Sequence, residues 1–213
     1  MYQVAKEFAD KDHSEFDLFV VIIISHGQGN DIWDVDGGKV SLEQVMTEYT
    51  ATKCPSLRGK PKMFFVERVT FVQPPSVEDG SIQAQCSTDR GTEPRPAFPL
   101  NVGNNCPEGA DFLLTWMTSA VDKAKPVPED LSIQVLIEAI KKDGRHLHML
   151  DILTKVNECM ADKHRSNGVM AAQVSYQNHT LRSEVYLTNE GYRKEAKVPD
   201  KLTQKTAELS AKF

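Results

Sequence analysis

The first part of the chain contains two segments that are apolar on both faces. Residues 16–25 (FDLFVVIIIS) and 62–72 (KMFFVERVTFV) are rich in β-branched and aromatic residues. Such runs are typical of strands in the centre of a sheet that helices cover on both sides. We therefore predict two buried strands in this part of the chain.

Smaller elements are predicted between these two strands. An Asp-Gly-Gly sequence joins residues 32–35 to residues 39–42, and this arrangement favours a hairpin. Ser41 is followed three positions later by Gln44, which resembles a capping box. We predict that a short helix begins there and runs to about Tyr49.

Residues 73–109 differ from the rest of the chain. They hold most of the prolines and many Gly, Ser, Thr, Asn and Asp residues, with little hydrophobic periodicity. Compact domains rarely contain so long a segment without regular structure. We predict a flexible linker between two ordered blocks.

Periodic hydrophobic patterns return after the linker. They predict a strand over residues 110–119, a helix over 129–142, a second helix over 146–163 and a last strand over 181–187. Residues 189–213 are polar and are predicted to form a frayed C-terminal tail. Strands that alternate with helices indicate an α/β fold built on a layered sheet.

Composition and charge exclude several classes of function. The chain has 213 residues and a net charge of −5, and it shows no basic patch of the kind that binds nucleic acid. No apolar run approaches the length of a membrane span, and the polar first residues do not resemble a signal peptide. The four cysteines lack metal-binding spacing, so we expect reduced thiols in the cytoplasm, no metal site and no organic cofactor.

The tripeptide Ser25-His26-Gly27 is the first candidate for chemistry. It follows a predicted buried strand, and functional groups of α/β sheets gather beyond the carboxyl ends of the strands. A histidine can act there as a general base near neutral pH, provided that a nucleophile lies within hydrogen-bond reach. A histidine that only hydrogen-bonds in a loop is the more common case for this tripeptide taken alone.

Residues 59–66 (GKPKMFFV) resemble the strand that precedes the nucleophile in the caspase family, particularly in its initiator members and their inactive pseudo-caspase relatives. In that family the strand is followed by Gln-Ala-Cys-Arg/Gln-Gly, and the catalytic histidine lies upstream. Residues 108–114 (EGADFLL), 151–157 (DILTKVN) and 179–182 (HTLR) resemble small-subunit sequences of the family, in the same order.

The resemblance implies a mostly parallel central sheet flanked by helices on both faces, forming one domain from two blocks. Residues 1–72 would then be a large-subunit-like block that lacks the family's N-terminal part, and residues 73–109 the intersubunit linker. Residues 110–188 would be the small-subunit-like block, followed by the tail of residues 189–213.

The chain departs from the family at the nucleophile. Val69 stands where the family has its cysteine, and a valine side chain can neither attack a carbonyl nor form an acyl-enzyme. The resemblance leaves His26 as a remnant general base and Gly27 as a remnant of the oxyanion hole. We predict that the chain as written does not cleave peptides.

The substrate pocket is altered as well. Glu67 stands where the family has a glutamine that binds the substrate aspartate, and its negative charge is expected to repel that carboxylate. The resemblance further implies candidate processing sites after Asp79 and Asp89 in the linker, although Asp is common in loops in any case.

The resemblance also implies dimerisation through the last strand, represented here by Leu181, Val185 and Leu187. Three functions remain open. The chain could be a pseudo-caspase that regulates an active caspase by heterodimerisation, or that pairs with itself. It could be an active Asp-specific cysteine endopeptidase whose catalytic exon is missing or altered in this sequence. It could also be a caspase-fold protein without a role in cell death.

Overall fold

A computed structural model describes residues 1–28, 31–72, 109–122, 132–166 and 175–188. In chain order the elements are α1 (Tyr2–Ala9), β1 (Phe19–Ser25), β2 (Gly27–Gln28), β3 (Asp31–Trp33), β4 (Lys39–Ser41), α2 (Leu42–Thr47), a 3₁₀ turn (Pro55–Leu57), β5 (Lys62–Val72), β6 (Phe112–Asp122), α3 (Ser132–Asp143), α4 (Met149–Ser166) and β7 (Tyr176–His179).

Four strands form the central sheet in the order β1-β5-β6-β7. β5 runs parallel to both β1 and β6, whereas β7 pairs antiparallel with β6 at the edge. Strands β2, β3 and β4 form a separate small antiparallel sheet directly after β1. The mostly parallel central sheet agrees with the predicted α/β class.

Helices cover both faces of the sheet because β5 and β6 are apolar on both faces. Phe64 and Val66 pack with α1 and α2 on one side, whereas Met63 and Phe65 pack with α3 and α4 on the other. All four side chains are buried. Burial of one such side chain contributes about 1.5–3 kcal/mol, so these two strands form the core of the domain.

Several predicted elements are found with small shifts. The structure gives β5 the predicted bounds, the described part of α3 begins at Ser132, and α4 begins about three residues later than predicted. The strand predicted from residue 16 begins only at Phe19, because the Phe16 amide donates to the His13 carbonyl and closes a turn. The hairpin is confirmed, and β2 adds a third strand to it.

The helix predicted after Ser41 is also present, as α2. Ser41 is its N-cap residue, but the Ser41 side chain makes no capping hydrogen bond, so the expected capping box does not form. Helix α1 was not predicted at all. Its buried residues are the small Ala5 and Ala9, whereas its larger apolar residues Tyr2, Val4 and Phe8 are exposed.

The prediction of a last strand over residues 181–187 is wrong. The last described strand is β7, whose sequence YQNH is polar and therefore lacks a hydrophobic signal. Leu181, Val185 and Leu187 instead pack against the cluster of α3 and α4, and the Val185 carbonyl accepts the Met149 amide at 2.8 Å. These three residues come after the edge strand β7 and are not part of the sheet. Their apolar side chains are therefore used in packing against the helices.

In the part of the chain that the structure describes, no helix is long and apolar enough to cross a membrane. The predicted tail, residues 189–213, and all but the last residue of the predicted linker lie outside the described residues. The proposed division into blocks, linker and tail therefore stays a prediction.

Candidate active site

The candidate site lies at the carboxyl end of β1, beside the neighbouring strand β5. Ser25, the last residue of β1, pairs with Arg68 of β5, and His26 follows immediately. Because the two strands are parallel, their ends meet at the same edge of the sheet, where α/β proteins place functional groups. The fold thus places His26 next to Val69.

His26 and Val69 are in direct contact. Nδ1 of the His26 ring lies 2.7 Å from the carbonyl oxygen of Val69. A carbonyl oxygen only accepts hydrogen bonds, so Nδ1 carries the proton and donates it. In the neutral ring Nε2 is then the unprotonated nitrogen.

Val69 does not lie at the end of its strand. β5 continues to Val72, and Val69 pairs with Ser119 of β6 inside the ladder. β5 and β6 therefore extend as a two-stranded ribbon beyond the last residue of β1. The backbone at the position of the family's nucleophile is straight, and its carbonyl faces the histidine.

Gly27 lies where only a glycine fits. A Cβ atom at this position would be 2.3 Å from the Asp31 carbonyl oxygen, because β2 and β3 approach closely in the small sheet. The Trp33 amide donates to the His26 carbonyl at 2.9 Å and fixes the same connection. Gly27 is thus required by local packing, and its part in an oxyanion hole stays a prediction.

Glu67 is buried and is held by two backbone donors. Its side chain has 0% exposed area, and its two carboxylate oxygens accept the backbone amides of Ser132 and Ile133, each at 2.8 Å. These amides belong to the first turn of α3, where a carboxylate is stabilised by unpaired N–H groups and by the helix dipole. Glu67 therefore caps α3, and the expectation that its charge repels a substrate carboxylate stays a prediction.

Sequence reasoning missed Trp33 beside His26, and it missed a contact between Arg68 of β5 and Trp116 of β6. The Ser25 hydroxyl donates to the Trp33 carbonyl at 2.7 Å, and the Trp33 ring centroid lies 6.5 Å from that of His26. The Arg68 guanidinium lies over the Trp116 ring at 5.7 Å from its centroid. Trp33 could have been found from the sequence, because it lies in the predicted hairpin that follows His26 and Gly27. Trp116 comes close only through the pairing of β5 with β6.

A salt bridge holds the tip of the hairpin that follows His26. The amino group of Met1 lies 2.6 Å from an oxygen of the Asp34 carboxylate, which also accepts the Val35 amide. The hydrogen bond from the amino group, and to a smaller extent that from the Val35 amide, lower the pKa of Asp34 below its ordinary value. The hairpin is therefore anchored to the start of α1.

The remaining candidate residues either lie outside the described residues or pack elsewhere. Asp79 and Asp89 lie outside the described residues. Leu181, Val185 and Leu187 belong to the packing of α3 and α4. Among the residues that the structure describes, no group of three His, Cys, Asp or Glu side chains could hold a metal ion.

Comparison with known proteins identifies related sequences over most of the chain. The family model for the caspase domain matches residues 1–186. Caspase-8 of Rattus norvegicus is 29% identical over 195 residues, which cover 87% of this chain and 38% of that protein. Caspase-7 of Gallus gallus is 28% identical over 171 residues, covering 78% of this chain and 52% of that protein.

A solved structure described as pro-sf-caspase-1 has the same fold. It superimposes with a TM-score of 0.61 at 22% identity, over 87% of this chain and 70% of that chain. The chain spans only 38% of the length of the caspase-8 relatives that it matches. The match of the caspase-domain model to nearly the whole sequence shows that this chain belongs to the caspase family.

Proposed function

We propose that this chain is a catalytically inactive member of the caspase family, which regulates apoptosis or related signalling by dimerising with an active caspase. The observation that supports this proposal most strongly is the contact between His26 and the backbone carbonyl of Val69. The residue that His26 contacts stands where the family has its nucleophilic cysteine, and Val69 offers this histidine a backbone oxygen but no thiol.

The chemistry of the site supports inactivity. A cysteine protease attacks its substrate with a thiolate that becomes acylated, and a base must take the thiol proton. Val69 supplies neither a thiol nor a leaving proton. A remnant oxyanion hole alone provides only a small part of the rate enhancement of such enzymes.

The backbone supports the same conclusion independently of the side chain. A nucleophile has to project towards its base from a position that substrate can reach. Position 69 instead pairs with Ser119 within the β5–β6 ribbon. We therefore expect that a cysteine placed at position 69 would not restore a working dyad.

Dimerisation is proposed through β7 in place of residues 181–187. β7 is the outer strand of the central sheet, and in the described residues it pairs only with β6. The outermost strand of a sheet can offer backbone hydrogen bonds to a further strand. The partner that we propose is an active caspase in the cytoplasm, and neither a metal nor an organic cofactor takes part.

The test of inactivity is hydrolysis of a fluorogenic Asp-terminated tetrapeptide under salt conditions that promote dimers. We expect no hydrolysis by the unmodified protein or by Val69→Cys. Hydrolysis by the unmodified protein that His26→Ala abolishes would refute the proposal and would mean that another group acts as nucleophile. Hydrolysis by Val69→Cys but not by the unmodified protein would show that the loss of activity depends on the side chain at position 69 and not on the backbone of β5.

The test of partnership uses a purified active caspase-8, because caspase-8 is among the relatives found. The unmodified chain is titrated into it while peptide hydrolysis and co-sedimentation are measured. We expect the unmodified chain to co-sediment with the caspase and to change its rate of peptide hydrolysis. Tyr176→Asp on β7 should abolish both the co-sedimentation and the change in rate, whereas Val4→Asp on the exposed side of α1 should not. Unchanged activity and no co-sedimentation at any concentration would count against a caspase-8 partner.

The retained His26-Gly27 pair favours a second candidate, an active Asp-specific cysteine endopeptidase made from a different transcript. The family resemblance ends at Val66 and resumes at residue 108, as an altered exon would produce. Sequencing of transcripts across the codon for Val66 distinguishes the two candidates. A transcript that encodes Gln-Ala-Cys followed by Arg or Gln and Gly would favour the enzyme.

A further inference from the structure

The carbonyl group of Val69 lies where β5 has lost its neighbouring strand on one side. The last pair between β1 and β5 joins Ser25 to Arg68, whereas β5 continues to Val72 and pairs there with β6. After Ser25 the chain leaves the central sheet and enters the small sheet, in which β2 pairs with β3. Within the described residues, no strand therefore continues the ladder on the β1 side of Val69.

The ring of His26 supplies the hydrogen bond that the ladder no longer provides at this point. Its Nδ1 lies 2.7 Å from the Val69 carbonyl oxygen, within the range of an N–H···O hydrogen bond. A carbonyl group that is shielded from water costs free energy if it has no donor, so nearly all such groups in folded proteins are paired. The side chain of His26 thus takes the place of a main-chain donor where β1 ends.

The main chain at His26 is held by the small sheet. The His26 carbonyl accepts the Trp33 amide at 2.9 Å, and the Ser25 hydroxyl donates to the Trp33 carbonyl at 2.7 Å. His26 therefore bonds to two sheets at once, through its ring to β5 and through its main chain to β3. One residue fastens the hairpin of the small sheet to the central sheet.

We propose that His26 is a structural latch between the two sheets, and that the same contact withholds its ring from acid–base chemistry. A carbonyl oxygen only accepts, so the nitrogen that faces position 69 carries a proton whether the ring is neutral or charged. Such a nitrogen cannot take a proton from a nucleophile at that position. The structural role of His26 is independent of the proposed inactivity, whereas this autoinhibitory role rests on it.

The direction of the side chain at position 69 agrees with the autoinhibitory role. Side chains alternate between the faces of a strand, so that of Val69 lies on the same face as those of Phe65 and Glu67. Phe65 packs in the cluster of α3 and α4, and Glu67 binds the first turn of α3. The carbonyl that His26 contacts lies instead in the plane of the sheet. A nucleophilic side chain at position 69 would therefore leave the strand in a different direction from the atom that His26 binds.

Hydrogen exchange of two isosteric variants tests the latch. Asn and Leu have side chains of nearly the same shape, but only Asn can donate a hydrogen bond from the place of Nδ1. In His26→Leu the amides of β2, β3 and β4 should exchange about tenfold faster than in the unmodified protein, because one hydrogen bond that holds the hairpin is lost. In His26→Asn they should exchange within about threefold of the unmodified protein.

His179→Leu is the control, because it removes an exposed histidine from β7, and it should leave exchange in the small sheet unchanged. Equal exchange in His26→Asn and His26→Leu, whether slow or fast, would overturn the latch. If His26→Leu does not fold while His26→Asn does, the same comparison supports the latch. These measurements need neither peptide hydrolysis nor a partner protein, so a failure of the latch is distinguishable from a failure of the proposed function.

Alkylation of a thiol at position 69 tests the autoinhibitory role. Val69→Cys is made in a background that carries Cys86→Ser, Cys106→Ser and Cys159→Ser, while Cys54 is buried. Only the thiolate reacts with iodoacetamide, so a proton acceptor beside the thiol would accelerate the reaction at about pH 6. We expect equal rates with His26 and with His26→Asn in this background. A rate roughly tenfold higher with His26 would show that the ring accepts the thiol proton, and it would overturn the autoinhibitory role.

Discussion

At the residue scale, one carboxylate joins the central sheet to a helix. Glu67 is fully buried in β5, and its two oxygens accept the first two amides of α3. A buried charge is costly unless hydrogen bonds satisfy it, and the helix N-terminus supplies both donors and a favourable dipole. The residue that departs from the family's glutamine thus acts as a cap for α3.

Glu67→Gln tests this role. The amide keeps one acceptor oxygen and brings an N–H₂ group towards backbone donors, so the free energy of unfolding should fall by about 2 kcal/mol. Urea denaturation followed by circular dichroism measures the change. Glu138→Gln, on the exposed side of the same helix, should change stability by less than about 0.5 kcal/mol. Equal stability of both variants would contradict the capping role.

Gly27→Ala tests the close approach of β2 and β3. The added Cβ atom would lie 2.3 Å from a backbone oxygen, so the small sheet has to shift, at a cost of about 1–3 kcal/mol. Thermal denaturation should show a lower midpoint for this variant. Gly38→Ala is the matched control in the same hairpin, because its Cβ would meet no atom within 4 Å. A stable Gly27→Ala protein would contradict the geometry around His26.

At the scale of elements, α1 and α2 are joined by a buried tyrosine. The hydroxyl of Tyr49, which follows α2, donates to the carbonyl of Ala5 in α1 at 2.9 Å. Burial, which disfavours the charged phenolate, raises the pKa of Tyr49 to about 12. The two helices that cover one face of the sheet are therefore linked through a group that must stay protonated.

This link predicts a loss of stability at alkaline pH. The unfolded chain releases the proton of this tyrosine near pH 10, whereas the folded chain holds it up to about pH 12. The contribution of Tyr49 to stability is complete below pH 10 and declines as the pH rises from 10 to 12.

Tyr49→Phe isolates that contribution. Below pH 10 this variant should be less stable than the unmodified protein by about 1 kcal/mol, because the hydrogen bond is lost. Its stability should also fall less steeply between pH 10 and 12, which urea denaturation at a series of pH values measures. Identical slopes for the two proteins would mean that Tyr49 does not titrate as described.

At the scale of the whole molecule, an ion pair joins distant parts of the chain. Nε and Nη2 of Arg182 donate to the two oxygens of Asp111 at 2.9 and 2.6 Å. Asp111 precedes β6 with a φ of 66°, a conformation that aspartate tolerates better than most residues. The pair fixes the segment after β7 to the start of β6.

Arg182→Ala should lower the free energy of unfolding by about 2 kcal/mol, since it leaves the buried Asp111 carboxylate without its bidentate partner. Arg182→Lys should recover only part of the loss, because an ammonium group cannot pair both oxygens in the same plane. Arg58→Ala, which removes an exposed arginine elsewhere, should have little effect. The measurement is urea denaturation, and a neutral Arg182→Ala would contradict this role.

The sequence alone determined the elements with strong local periodicity. The bounds of β5 and the presence of α3 and α4 followed from apolar residues at strand and helix spacing, because burial imposes that spacing. The pairing of His26 with the region of Val69 was also predictable. Both residues follow or lie in buried parallel strands, and the ends of such strands meet at one edge of a sheet.

Only the tertiary structure decided the elements and roles that depend on distant partners. Helix α1 buries two alanines and exposes its larger apolar residues, and β7 is a polar edge strand, so the places of both depend on tertiary packing. Leu181–Leu187 resembles a strand in pattern but packs as an irregular segment, because the α4 surface needs its apolar residues. Glu67 acts as a helix cap, which no local pattern indicates, since its partners are amides of a helix that begins 65 residues later.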